Sequence, residues 1–249
     1  QESRGLGDVY KRQDTSTVVG LDMNSSANAV GRSDTKINLA TGSSVNADRV
    51  DAGSGAVGLF INYGEANIAS GAKVNVEKSG LNDANAKAVG VYAVNGSKVD
   101  NKGNIEAGGT DSVGILALGY GESGGVAQKN QFGGKTGEGN ITVTNSGSVT
   151  MANNDAIGIY VKNNNSAGTK AGAIGTNTGN GVLTLSGDKS IGMIGDKATL
   201  TNDTNAKINM TGQEQVGMFA NNSSSLINRG EINLAASAGS VPSVGIYTN

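Results

Sequence analysis

The sequence contains no cysteine, no histidine and no tryptophan, and only one of its 249 residues is proline. Without cysteine, the chain can form neither a disulfide framework nor a thiolate metal site, and it has no thiol nucleophile. The net charge of -2 gives no reason to expect nucleic acid or an anionic membrane as a partner. No apolar run approaches the length that a membrane-spanning helix requires.

What the sequence has in abundance is glycine and asparagine, with 40 and 30 residues, and a recurring apolar unit. The unit consists of a small or polar residue, an apolar residue, glycine, an apolar residue and, in most copies, an aromatic residue. Its central glycines, from Gly58 to Gly245, are separated by 32, 24, 44, 34, 25 and 28 residues. Such self-similarity is typical of repeat architectures, with longer units carrying insertions. The copies are residues 56–60, 88–92, 112–116, 156–160, 190–194, 215–219 and 243–247.

A second motif lies between these copies and has the pattern apolar-x-Asn-x-Gly-x-apolar-x-apolar. It occurs at residues 99–107, 143–151 and 226–234, and residues 200–210 repeat it with two extra residues in the turn. Alternation of apolar and polar residues, interrupted at Asn and Gly, predicts short half-buried strands that are joined by tight turns.

A repeat of about 24 residues with three short strands cannot bury its own apolar face, but stacked repeats can. The sequence therefore predicts an all-β fold, a right-handed parallel β-helix (solenoid) with about three strands per coil and roughly eight rungs. In one coil, the predicted strands are residues 89–93, 98–100 and 104–107. Four asparagines are predicted to lie at the turn between strands and to hydrogen-bond along the axis. They are Asn101, Asn145, Asn202 and Asn228.

The first motif is predicted to place Val89, Val91 and Ala93 inside the coil and Gly90 and Tyr92 outside. The opposite phase, with Tyr92 buried and both valines exposed, remains an alternative. With the first phase, the aromatic residues of successive coils form a stripe on one outer face, which is the candidate binding surface. The stripe comprises Phe60, Tyr92, Tyr160, Phe219 and Tyr247.

The domain organisation is predicted to be one β-helix over residues 14–249, with loop insertions near 119–140 and 162–181. Residues 1–13 resemble nothing downstream, and residues 8–13 resemble the translation of a transposon end sequence. We therefore exclude residues 1–13 from the fold as a non-native or disordered segment. A basic N-terminal arm is the alternative.

Motifs that would carry chemistry are weak, so no cofactor, no metal ion and no catalysis are expected. The glycine pattern at residues 119–124 matches a dinucleotide fingerprint, but no helical pattern follows it. Residues 108–111 are a single fragment of a calcium-binding repeat and do not recur. Hydrolysis on a β-helix would need paired carboxylates, and pectinase-type hydrolases add a Gly-His-Gly unit that this chain lacks. A carbohydrate-active enzyme with acidic residues near Asp155 and Asp188 remains an alternative.

The two alternating motifs, in a cysteine-free chain rich in Gly and Asn, resemble the passenger regions of large type V autotransporters of Gram-negative bacteria. The resemblance covers residues 15–249. It implies an export signal, a β-helix outside the cell and a C-terminal outer-membrane barrel as the partner in the same polypeptide. The expected function is a structural stalk and adhesin, at the cell surface or secreted after cleavage, that binds a host or bacterial surface protein or glycan. A phage-type fibre, which would need to form a trimer, is a further alternative.

Overall fold

The computed structural model describes residues 17–24, 36–48, 55–62, 64–76, 87–119, 141–164, 172–236 and 241–249. Every regular element within these ranges is a β-strand, and the strands form three parallel sheets. Each coil contributes one strand to each sheet, so the fold is a right-handed parallel β-helix, as predicted. The described part of the chain has no helix of the length and apolarity that a membrane span needs.

Sheet A has eight strands and contains the first sequence motif. All its neighbouring strands pair in parallel, with equivalent motif positions in register. Its strands are β1 (Thr17–Asn24), β4 (Gly55–Asn62), β7 (Lys87–Val94), β10 (Val113–Gly119), β13 (Ile157–Asn163), β16 (Ile191–Asp196), β19 (Val216–Asn221) and β22 (Val244–Thr248).

Sheets B and C have seven strands each and contain the second motif. Sheet B comprises β2 (Lys36–Leu39), β5 (Glu65–Ile68), β8 (Lys98–Asn101), β11 (Ile141–Asn145), β14 (Ala173–Asn177), β17 (Thr199–Asn202) and β20 (Ser225–Asn228). Sheet C comprises β3 (Ser44–Ala47), β6 (Lys73–Val76), β9 (Asn104–Ala107), β12 (Ser148–Met151), β15 (Val182–Leu185), β18 (Lys207–Met210) and β21 (Glu231–Leu234).

The core is a continuous column of aliphatic side chains inside the coils. In most strands of sheets B and C, every second residue is apolar, points inward and is almost fully buried, whereas the inward residues of the last strands, β20 and β21, are only partly buried. Val99, Ile105 and Val149, for example, have no exposed surface. The predicted strands of the coil that contains Val99 are confirmed as β7, β8 and β9.

Sheet A departs from simple alternation at the motif glycine, and the predicted phase is wrong on one side of it. Val91 and Ala93 belong to the interior cluster and Tyr92 points outward, as expected. Val89, however, packs with outward-facing residues, and a Cβ placed on Gly90 would point inward, 2.4 Å from Cγ2 of Ile105 on sheet C. Two consecutive residues, glycine and the one after it, therefore face the interior.

Steric crowding explains why this inward position is glycine. At Gly114, an added Cβ would lie 2.3 Å from Cγ1 of Val149 and 2.6 Å from the carbonyl oxygen of Gly158 in the next coil. The backbones of sheet A and the side chains of sheet C approach too closely here for any side chain. Gly58, Gly158, Gly192 and Gly217 have the same contact with the next glycine's carbonyl oxygen, at 2.4–2.6 Å.

An asparagine ladder, buried except at its last member Asn228, lies at the inner corner between sheets B and C. Asn101 donates through Nδ2 to Oδ1 of Asn145 at 2.7 Å, and Asn145 donates to Asn177 at 2.8 Å. The ladder continues to Asn202 at 2.9 Å and to Asn228 at 2.8 Å. The predicted stacking is confirmed, and the ladder residues are the last residues of their strands rather than left-handed turn residues.

Asn177 was missed because the segment 162–181 was predicted to be an insertion, whereas β14 lies within it. The inward residues of β14 are Ala173, Gly175 and Asn177, so the strand lacks the large apolar residues that alternation requires. The space is filled by neighbours instead, since a Cβ on Gly175 would meet Val161 and Leu200 side-chain atoms at 2.8 Å. The predictions for residues 1–13 and for most of 119–140 concern residues outside the described ranges.

The glycine column yields a first prediction. Gly114→Ala should destabilise the chain by about 2–3 kcal/mol, because the new methyl group meets a rigid backbone carbonyl. Gly245→Ala is the matched control, since the same motif position there has no atom within 4 Å of the added Cβ. Thermal unfolding monitored by circular dichroism compares them, and equal midpoints for the two variants would contradict the steric explanation.

The ladder yields a second prediction. Asn145→Ala removes one acceptor and one donor from buried neighbours, and should cost about 2–4 kcal/mol because those amides stay unsatisfied. Asn67→Ala removes an exposed asparagine pair, in which Asn67 donates to Asn38 at 2.9 Å, and should cost less than about 1 kcal/mol. Denaturant unfolding of both variants tests this, and similar losses would show that burial of the ladder adds nothing.

Candidate functional site

The outer face of sheet A brings the predicted aromatic residues into a single column along the helix axis. Phe60 pairs with Tyr92, and Phe219 pairs with Tyr247, in the register of adjacent strands. Two aliphatic residues continue the column between the aromatic ones, and in the first coil the position is held by Asp22. We call the whole set the aromatic column, and it comprises Phe60, Tyr92, Leu116, Tyr160, Ile194, Phe219 and Tyr247.

The two ends of the aromatic column differ in exposure. Phe60 is only 3% exposed and forms an edge-to-face pair with Tyr92, with ring centroids 5.5 Å apart. Tyr160 and Phe219 are half-buried, and Tyr247 is 50% exposed and stacks on Phe219 with centroids 5.5 Å apart. Tyr92 is half-buried as well, so the predicted stripe is accessible from Tyr92 onward, and the greater exposure of Tyr247 belongs to the last strand, in which Ile246 is also 46% exposed.

A second apolar column runs beside the first, because the residue before each motif glycine points outward. Near the first coils, this produces a separate hydrophobic cluster on the outside of sheet A. Its buried members are Val57, Phe60 and Val94, and Val89 and Tyr92 pack against them. In the later coils, the equivalent residues are half-buried, namely Ile157, Ile191, Val216 and Val244. An apolar strip about two side chains wide thus follows the axis.

A polar cluster borders this strip and was missed by the sequence analysis. Nζ of Lys162 lies 2.9 Å from Oδ2 of Asp196, and Nδ2 of Asn222 donates to Oδ1 of Asp196 at 2.8 Å. Lys162 and Asp196 lie in register, two positions after the aromatic column. Because alternate residues of a strand share a face, strand alternation could have predicted that both lie on the outer face. The side chain of Asp196 is only 6% exposed.

The charges of this cluster are fixed by their surroundings. Burial by itself would raise the pKa of Asp196, but the hydrogen bonds from Asn222 and Lys162 together outweigh this effect. The resulting pKa is below the ordinary 3.8. Burial raises the pKa of the Tyr160 phenol, and the smaller charge effects are a lowering by Lys162 and a raising by Asp196. At neutral pH, the strip therefore presents a neutral phenol beside a compensated ion pair.

The acidic residues considered for catalysis occupy turns between sheets C and A. The amide of Asp155 donates to the carbonyl oxygen of Asp188 at 2.9 Å, and Asp155 itself has a left-handed backbone with φ of 56°. The carboxylate of Asp188 accepts from the backbone amide of Gln213 at 2.8 Å. Among the described residues, no group of three or more potential ligands could hold a metal ion.

Comparison with known protein families gives a match over the later coils. Residues 167–248 match the third pectate lyase-like domain of BigA. BigA is a bacterial surface protein. The matched segment includes β14 to β22 and, from the aromatic column, Ile194, Phe219 and Tyr247. No curated protein and no solved structure is significantly similar to the chain.

The Lys162–Asp196 pair yields a third prediction. Because the folded-state pKa of Asp196 is lowered, its charge stabilises the fold above about pH 4, and this contribution is lost as pH falls through the folded-state pKa. Asp196→Asn should therefore be less stable than the parent chain at pH 6, and the difference should become smaller at pH 2. Thermal midpoints at both pH values test this, with the more exposed Asp203→Asn as control, and a difference independent of pH would contradict it.

Proposed function

We propose that this chain is part of a bacterial cell-surface protein in which the β-helix is a rigid stalk and adhesin. The observation that carries the proposal is the apolar strip on the outer face of sheet A. Surface residues of a parallel sheet are usually polar, and the outward positions of sheet C include Thr150, Thr184 and Asn209. A continuous apolar strip on a single face is the kind of surface that binds a partner.

The surface location in this proposal is supported by the match to a pectate lyase-like domain of BigA, which is itself a surface protein. The proposal includes export as an autotransporter passenger, which the sequence resemblance implies. The passenger is then either anchored by an outer-membrane barrel of the same polypeptide or released from it. A solenoid suits a stalk because each coil is bonded to both neighbours along its whole length. The β-helix then acts as a rigid spacer that holds the apolar strip at a distance from the outer membrane.

In this proposal, the segment performs no catalysis, and the partner is a protein or glycan on a host or bacterial surface. The roles of the acidic turn residues support this. Asp188 accepts a backbone hydrogen bond, and Asp155 shapes a turn, so both have a structural task. The later part of the strip supplies stacking surfaces from Tyr160, Phe219 and Tyr247, with the amide of Asn222 at its border.

The proposal yields a fourth prediction. Replacing Tyr160, Phe219 and Tyr247 together by serine should reduce adhesion of beads coated with the chain at least about tenfold, because aromatic anchors dominate contact surfaces. Adhesion to epithelial cells and to Gram-negative bacteria is the measurement. Circular dichroism should show the β-helix retained, since these side chains lie outside the interior cluster.

The matched control is the triple variant Thr150→Ala, Thr184→Ala and Asn209→Ala, a column of three successive coils on sheet C. It should leave adhesion unchanged. Adhesion that survives the serine variant would contradict the contact surface. Unfolding of the serine variant would assign the aromatic residues to the core, and Tyr247→Ser, which changes a half-exposed residue, then tests the contact alone.

A further inference from the structure

The turns between sheets B and C vary in length in a way that shapes the surface. Residues 69–72 form a four-residue turn, the next two coils have two-residue turns at 102–103 and 146–147, and the following turn, 178–181, again has four residues. Two short turns therefore lie between two long ones. The long turns stand as walls about 14 Å apart, which is three coil spacings, and the short turns form the floor.

A cavity of about 290 Å³ lies between these walls. That volume is close to the lower limit for small-molecule sites, and it suits one or two sugar rings. We call it the turn notch. Its polar lining residues are Lys73 on one wall, Lys102, Asn104 and Ser148 on the floor, and Asn180 on the other wall.

The donors of the turn notch are only partly used within the protein. Among the described residues, the side chains of Lys73 and Asn180 have no hydrogen-bond or ion-pair partner, whereas Asn104 donates to Glu106 at 2.7 Å and accepts from Ser148 at 2.6 Å. Lys102 contacts Asp100 at 3.2 Å, and its side chain remains 59% exposed. Two ammonium groups thus lie in adjacent coils at one end of the cavity, and an amide lies at the other end.

Another short turn in the chain provides an internal comparison. At residues 229–230, Nη1 of Arg229 lies 3.4 Å from Oδ1 of Asp203 on the neighbouring long turn, so the basic group there is already paired across the step. Lys102 occupies the equivalent position of its own short turn and contacts Asp100 of the same coil, whereas the Lys73 side chain has no ion-pair partner in the described part of the chain. The charge of Lys73 is therefore left for a ligand, and a carboxylate is the group that would pair with it.

We propose that the turn notch binds a carboxylate-bearing pyranose, with the carboxylate between Lys73 and Lys102 and the hydroxyls on Asn104, Ser148 and Asn180. A peptide fits less well for two reasons. The strands beside the notch are paired on both sides, so no free sheet edge is available for strand addition. The lining also lacks an apolar pocket for an anchoring side chain, since Val182 and Ala72 are its largest apolar residues.

This site is separate from the strip on sheet A, so its test does not depend on the adhesion experiment. The measurement is titration calorimetry of the full chain with 3′-sialyllactose and with a glucuronic acid disaccharide, which separates two sources of the carboxylate. Lactose and a glutamate-rich peptide are the comparison ligands. Binding of at least one acidic sugar, at least about tenfold tighter than lactose and the peptide, is expected.

The variants Lys73→Gln and Lys102→Gln, combined, should weaken binding of the sugar at least about tenfold, because both charges are removed while a polar side chain only one atom shorter is kept. Lys207→Gln is the matched control, since Lys207 occupies the same first position of a sheet C strand but pairs with Glu231 at 3.1 Å. It should change affinity less than twofold. No binding at millimolar sugar, equal binding of lactose or peptide, or an unchanged affinity in the double variant would overturn the proposal.

Discussion

The in-register hydrogen bonding of each coil to the next is the constraint on which the rest of the structure depends. Parallel strands lie about 4.8 Å apart, so every position of one coil lies directly over the same position of its neighbour. A side chain is therefore surrounded mainly by its own equivalents, and a change of size or polarity affects contacts on two sides. Residues at equivalent positions of successive coils must therefore match one another in size and polarity, more than residues within one coil. The asparagine ladder shows this most clearly, because each buried amide is satisfied by the next one.

The same constraint links the interior of the helix to its outer surface. Sheet A approaches sheet C so closely at the motif glycine that the carbonyl oxygen of one glycine occupies the space of a neighbour's Cβ. Glycine must then face inward together with the residue that follows it, which leaves the preceding valine or isoleucine on the outside. An apolar outer column thus follows from crowding in the interior. In the early coils, Val57 and Val89 belong to this outer column and form a second cluster with Phe60.

Sequence periodicity predicted the sheets, the coil count and the ladder because each is a column property that repeats at fixed motif positions. It failed where the space at an inward position is filled by side chains of neighbouring strands rather than by the residue at that position. In β14, Val161 and Leu200 fill the space inside Gly175, so the strand carries no apolar alternation of its own. The phase at Gly90 was missed for a related reason, since glycine gives no indication of the side it faces. Of the candidate site, the aromatic column was predictable, whereas Lys162, Asp196 and Asn222 come together through two different coils and a turn.

The turns lie outside the packed interior columns, so their length can change without altering the core. The residues that stabilise the fold are therefore different from those that could bind a ligand. Two added residues in a surface turn cost little free energy, because loop-closure entropy grows slowly with length. The ladder accordingly continues without interruption past long and short turns alike, from Asn145 to Asn177 and Asn202. Turn length can therefore change the walls and floor of a notch while the core beneath it stays the same. A repeat protein built in this way can acquire new surface sites without repacking, provided that the inward columns are preserved.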